Sequence, residues 1–409
     1  MNLTRHRSAV ALAFATQGLV FISLTTRLPD IKDRWAFSEI DVSLVLLAIV
    51  LLAGAGSVLT ERLAARVDSA LLLRVGLVVI GVGMPLMVAA TDLPLYYAGV
   101  ASYGVGLGIV DATTNMQAVA LEHRYRRPIL PSFHGAWTAG GLVGAGLTLA
   151  SADLPLSAAA AIAAVPLVVA LLPFLPPDEE PDDLLVQPAA ADLAVPVPWR
   201  PIVMVGLGMV IFYMVDTASQ TWGAVYLDEV FDAPSRWVAL ATLPYLVASL
   251  VTRLAGDGLV ARYGAVPVLR CGAVIACAGL VVVTLAPSWP VAVLGFAVVG
   301  FGISVVAPLS FSAAAAIAGT SQGGDRRRVD VVIARFNQFN YVGGLLGAVL
   351  TGLVGSDDLR FGFCVPMVLV LSLWPLARYF AAVPGPAPAP PDLPAAPGTS
   401  RHRGASEGA

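Results

Sequence analysis

Twelve runs of mostly apolar residues recur along the chain, at roughly 8–28, 40–60, 71–91, 94–119, 130–150, 155–175, 201–223, 236–254, 266–286, 290–317, 331–354 and 361–381. About 20 apolar residues in helical form cross a bilayer, and a helix satisfies its own backbone N–H and C=O groups without water. The pattern predicts an all-α polytopic membrane protein with twelve transmembrane helices, spans one to twelve. Polar residues gather in short connections, with two longer exceptions. Residues 176–201, PPDEEPDDLLVQPAAADLAVPVPWRP, are rich in proline and acid and show no apolar periodicity, which reads as a flexible linker. The stretch from Pro384 onward is low in complexity and reads as disordered. The expected organisation is a six-helix half over 1–175, a linker over 176–200, a second six-helix half over 201–383 and a tail over 384–409.

Composition sharpens this picture. The chain is 57% hydrophobic and 12% charged, with a mean hydropathy of +0.81, so its solvent is mostly lipid. Charge placement says more than the net charge of -3. If the N-terminus is cytoplasmic, the outer connections hold five basic residues, Arg27, Lys32, Arg34, Arg236 and Arg360, and the inner side holds the other nineteen. That asymmetry predicts both termini in the cytoplasm and the chain in the cytoplasmic (inner) membrane of a bacterium. Arg5, His6 and Arg7 lead straight into a full-length span, with no cleavable signal pattern. Arginines in short loops do not suit nucleic acid. Cys271, Cys277 and Cys364 fall inside apolar runs as small packing residues. Their spacing fits neither a metal site nor a disulfide framework. Gly104-x-Gly106-x-Gly108 lacks a strand–turn–helix context and reads as helix packing. No catalytic constellation, metal site or cofactor is expected, and the expected working unit is a monomer.

The two halves repeat each other. ERLAARVDSALLLRVG (Glu61–Gly76) and DGLVARYGAVPVLRCG (Asp257–Gly272) match at an offset of 196, including Arg66 with Arg262 and Arg74 with Arg270. In the fifth and eleventh spans Phe133 pairs with Phe336, and Gly140-Gly141-Leu142 with Gly343-Gly344-Leu345, at an offset of 203. Parallel six-span repeats with a site between them are a transporter layout.

On these residues the chain resembles a major facilitator superfamily (MFS) transporter over its whole length except the tail. Gly256-Asp257-x-Leu259-x-x-Arg262-x-Gly264 resembles the superfamily's cytoplasmic-loop signature. The first-half copy departs from it, with Ala65 in the usual aspartate position and Asp68 in that of a glycine. Asp111-x-x-x-Asn115-x-Gln117, Arg127-Pro128 and Phe133-His134-Gly135 with Gly140-Gly141 resemble bacterial permeases related to the fucose–proton symporter branch. The resemblance implies two six-helix pseudo-repeats in the MFS fold. It also implies a cytoplasmic gate in which Arg253, Asp257 and Arg262 pin helix ends, with Arg66 and Arg74 as first-half counterparts and Glu61 or Asp68 as their acids. Without a gate, these are topology-fixing arginines.

Polar residues inside the spans are the candidates for chemistry, because a charge mid-span costs about 3 kcal/mol or more and faces a cavity or a partner. Asp111 lies about 25 Å along span four, with Asn115 on the same face. An acid in a low-dielectric site suits a proton carrier. Asp111 is either that carrier or a solute ligand, or else a structural carboxylate paired with a neighbour such as Arg124 or Arg126 or bonded to neighbouring helices. His134 is a possible proton relay near the cytoplasmic face, against a packing role. Gln17 is the expected solute contact of span one, and Arg27 an outer partner of Asp30 or Asp33, or a snorkelling side chain. Asp216 and Gln220 share a face of span seven as a second candidate pair, against exposure at the interface near Asp228 and Glu229. Span eleven opens with Arg335, Asn337, Gln338, Asn340 and Tyr341, which cannot all face lipid. Of these, Asn337, Asn340 and Tyr341 are expected solute contacts, with Trp137 and Tyr245 as aromatic walls. The sequence thus predicts a secondary active transporter of a small organic solute working by alternating access and driven by the proton gradient. Export is the first reading and uptake of a sugar-like polar solute the alternative. A sensor or scaffold that has lost transport is the reading from another class.

Overall fold

The computed structural model describes residues 3–37, 39–151, 153–176, 197–233, 242–319 and 326–383. The expected tail lies outside the described residues, as does the expected linker apart from Pro176 and its last four positions.

All regular structure among the described residues is helical. Among the described residues nine helical stretches are long and apolar enough to cross a membrane: Leu3–Thr25, Leu44–Ala64 within Glu39–Ala64, Ser69–Val88, Leu93–Tyr125, Trp199–Gly223 within Trp199–Phe231, Leu243–Tyr263, Ala265–Thr284, Trp289–Gly319 and Leu359–Ala382. These are spans one to four, seven to ten and twelve. Span five is Leu130–Ala150, span six is Leu156–Ala163 continued by Ala164–Val169, and span eleven is Arg326–Phe336 followed by Gln338–Val354. The twelve-helix architecture expected from the apolar runs is therefore present. A short helix, Leu28–Trp35, follows span one.

Some spans are broken where the apolar pattern shows one run. Span ten divides into Trp289–Ile303 and Val306–Gly319. Pro308 stands four residues after Ser304 and has no N–H to offer its carbonyl, and Arg253 Nε takes that carbonyl instead at 3.3 Å. Broken helices persist at membrane depth where another protein group satisfies the freed backbone.

The halves are held internally by close helix pairs and meet along two seams, span two against span eleven and span eight against span five. Glycine makes the pairs possible. A Cβ on Gly108 of span four would strike the Ala53 carbonyl of span two, and one on Gly140 of span five the Ala15 carbonyl of span one. Gly343 of span eleven sits in the same way on Val210 of span seven, so the glycines paired by the sequence repeat are structurally equivalent. Gly108→Ala should lose about 1–3 kcal/mol to overpacking, read as a lower thermal midpoint in detergent. An unchanged midpoint would mean that the helices part without penalty.

Candidate functional site

Asp111 is the centre of a polar cluster built across the seam between span two and span eleven. From span one, Gln17 Nε2 donates to Oδ1 at 3.1 Å. From span eleven, Asn337 Nδ2, Asn340 Nδ2 and the Tyr341 hydroxyl donate to Oδ2 at 2.7, 3.1 and 3.3 Å. Asn337 Nδ2 also reaches Ser57 Oγ of span two at 3.4 Å, and Ser57 donates to the Ala334 carbonyl at 3.2 Å. Asn115 turns its Nδ2 to the Asp111 carbonyl at 2.8 Å. Helical periodicity explains the convergence: Asn337, Asn340 and Tyr341 stand three and four apart and share one face. Asp111 bonds neither Arg124 nor Arg126 among the described residues, so the structural ion pair is set aside.

Asp216 forms a second cluster within the other half. Gln220 Nε2 donates to it at 2.8 Å, and so does the Tyr245 hydroxyl. Tyr245 is thus a hydrogen-bond partner of the carboxylate rather than an aromatic wall. Asp216 is partly buried, not a free interfacial group. Tyr213 of span seven is electrostatically coupled to both carboxylates and to Arg253. Trp137 is half-buried and lies 6.1 Å from the ring of Phe21, a packing contact with span one.

His134 is 8% exposed, set between Phe14 and Phe311 at ring distances of 5.3 and 6.1 Å. No hydrogen bond joins it to either carboxylate among the described residues, so the relay expected from sequence has no hydrogen-bonded path here. Gln117, one of the motif residues, ties span four to Ser69 and Leu175 at 2.8–3.2 Å and is structural.

The gate expected from the loop signature needs correction. Arg253 does not stand at the surface; it is 6% exposed and donates to Thr138 of span five at 2.5 Å, with its guanidinium over Phe212 at 5.9 Å. Arg262 is exposed beside Tyr263 and Arg66 is exposed; among the described residues neither shows a bond across the halves. Arg74 binds the Leu172 carbonyl at 3.1 Å within its own half. Like Arg253, Asp257 reaches across the halves, accepting from Ser132 N at 2.9 Å and facing Arg7 at 3.4 Å. Glu61 meets Arg335 Nε at 2.7 Å rather than Arg66 or Arg74. Arg27 bonds Asp30 at 2.7 Å and Ser151 Oγ at 2.9 Å, a tie inside the first half.

These cross-half bonds obey the repeat. Glu61 and Asp257 are 196 apart and their partners Arg335 and Ser132 are 203 apart. Deeper in the seams Ser57 corresponds to Arg253, His134 to Asn337 and Thr138 to Tyr341 by the same two offsets. Ser57, Ser132, Thr138 and Arg7 were not singled out from sequence, although the offsets would have pointed to the first three. Glu122 was also missed. It is 4% exposed and accepts from Ile129 N and Leu130 N at 2.8 and 3.0 Å, capping the start of span five; its spacing from its helix end carries no signal in the sequence.

Twelve helices in two pseudo-repeated halves, with carboxylates and amides meeting at the seam, define a polytopic carrier architecture. The Major Facilitator Superfamily model matches residues 9–348, and the chain belongs to that superfamily. It is 28% identical to an uncharacterised MFS-type transporter of Yersinia pestis over 377 residues, which is 88% of this chain and 92% of that one. It is 27% identical to an uncharacterised transporter of Sinorhizobium fredii over 309 residues, covering 75% and 81%. Among solved structures, the E. coli fucose:proton symporter FucP superposes with a TM-score of 0.70 at 16% identity, covering 91% of this chain and 98% of that one. The chain is thus a multi-pass membrane transporter of small solutes, and the family points to transport rather than catalysis.

Proposed function

We propose that this protein is a proton-coupled secondary transporter of a small polar organic solute, with Asp111 as the coupling carboxylate. One observation carries this: Asp111 belongs to the first half, yet three of its four side-chain donors come from span eleven in the second. An ionised Asp111 accepts from all three. A protonated Asp111 loses acceptor capacity and gains a donor, so these bonds weaken and the halves are freed to rock. Proton occupancy and alternating access are then one event. On this reading the solute contacts are Gln17, Asn337, Asn340 and Tyr341, with Asp216, Gln220 and Tyr245 on the opposite wall. Glu61, Arg335, Asp257 and Ser132 are the gate at the arginine-rich, cytoplasmic face.

We favour export. Uptake of a sugar-like solute with a proton is the alternative, supported by the fold shared with a fucose:proton symporter. Nothing in the Asp111 cluster favours a sensor. Reconstituted protein should show solute flux that rises with an imposed pH gradient and collapses with a protonophore. Flux indifferent to both would exclude proton coupling.

A further inference from the structure

Asp111 has no cation beside it. Among the described residues no basic nitrogen lies within ion-pair distance of it, and the side chains on its oxygens are three amides and a phenol. Asp216 has Arg253 as an electrostatic partner; Asp111 has only neutral donors. Ser57 of span two bonds Asn337, and Tyr213 of span seven is coupled to Asp111; neither hydroxyl is a cation. The cluster also has acceptors to spare. Gln17 Oε1, Asn115 Oδ1 and Asn337 Oδ1 are buried and meet no protein donor, on residues 5%, 1% and 0% exposed. In Gln17 and Asn337 the amide nitrogen is spent on Asp111, which leaves the oxygen of the same small group next to the carboxylate. A buried polar group without a partner is disfavoured by about 1–3 kcal/mol, and here three amide acceptors stand around one carboxylate. A single proton on Asp111 satisfies at most one.

We propose that the transported solute carries an ammonium group that docks on Asp111, with further N–H or O–H donors for Gln17, Asn115 and Asn337, and that a proton takes its place on the return stroke. This rests on the transporter function proposed above. A lone carboxylate at this depth is neutralised in each state that crosses the membrane. With one site and two competing cations, the solute moves one way as its ammonium form and a proton moves the other. Charge balances, and neither can travel with the other on Asp111. A neutral polyol would supply donors but no charge, and would need the proton to travel in the same direction.

The test uses full-length protein in proteoliposomes enclosing a pH-reporting dye. A polar-metabolite extract of the source organism is split on a cation-exchange resin, and the whole extract, retained fraction and unretained fraction are added outside. The expected result is lumenal alkalinisation by the whole extract and the retained fraction, above that in protein-free vesicles. Asp111→Asn vesicles should lose this excess and Asp111→Glu should keep part of it. Gln17→Leu, which removes one free acceptor together with the Nε2 donor to Asp111, should weaken the apparent affinity by about three- to tenfold; it also serves should Asp111→Asn not fold. Lumenal acidification, or a response confined to the unretained fraction, overturns the ammonium exchange while leaving transport intact. A response that persists in folded Asp111→Asn overturns docking on Asp111. Silence with the whole extract overturns the proton coupling proposed above.

Discussion

Asp111→Asn is expected to reduce proton-coupled solute movement to the level of protein-free vesicles while the protein stays folded. The substitution is nearly isosteric and places no new charge in the seam. An Asn oxygen still accepts from Gln17 or from span eleven, so the helices remain joined, and the variant should elute as a monodisperse helical species. What it cannot do is exchange a proton or balance a charge. Because three of the four donors on Asp111 belong to the opposite half, a permanently neutral side chain also removes the link between proton occupancy and the position of the halves. Facilitated exchange of solute for solute survives if the solute is held by the amides alone. Asn337→Ala should show the complementary defect, since it removes the 2.7 Å bond from the other side: coupling is impaired while Asp111 still titrates. Proton-driven flux at wild-type rates in Asp111→Asn would remove Asp111 from the mechanism.

Much of this site was legible in the sequence because lipid makes polar residues conspicuous. Asp111, Gln17, Asn337, Asn340 and Tyr341 each interrupt an apolar run, and a side chain that cannot face hydrocarbon must face something else. The pairing of Asp216 with Gln220 followed from helical spacing in the same way. The partners of surface arginines were not legible, because any acid at the end of a neighbouring helix will serve and the sequence does not say which helices meet there. Arg66, Arg74, Glu61 and Arg335 illustrate this: Glu61 or Asp68 was open as the acid for Arg66 and Arg74, and Glu61 meets Arg335. Arg253 was misplaced for another reason. Its distance from Asp257 is one helical turn, about 5.4 Å, which is enough to carry it from the loop into the seam. There the Ser304 carbonyl freed by Pro308 receives it. The break in span ten and the buried arginine of span eight are joined only in three dimensions.

Asp257→Asn should open the arginine-rich face, and by more than any change at its pseudo-symmetric mate. Asp257 accepts from Ser132 N in the first turn of span five, at 2.9 Å, where a helix N-terminus favours negative charge. A charge-assisted hydrogen bond of this kind contributes about 1.5–3 kcal/mol. The facing Arg7 at 3.4 Å adds little, since both side chains are partly solvated. The closed-to-open ratio should therefore fall by about ten- to a hundredfold, a tenfold change being about 1.4 kcal/mol. Glu61 holds Arg335, whose side chain is 53% exposed, so Glu61→Gln should change the ratio by no more than about fivefold, the weight of a solvated pair. Asp68 makes no capping bond to its helix, and Asp68→Asn should have no effect. Spin labels at Arg62 and Arg262, exposed residues of opposite halves, report the separation directly. Asp257→Asn should add a longer-distance population, and the double exchange Glu61→Arg with Arg335→Glu should leave the closed distance in place. Equal distributions for Asp257→Asn and Asp68→Asn would show that the second-half acid does not hold the gate. The asymmetry has a mechanistic consequence. Duplication supplied both seams with an acid at the same place, but one acid grips a helix backbone and the other a half-exposed side chain. The Glu61 seam, which lies next to Asp111, is then the one that yields first when a proton or a solute changes the charge there.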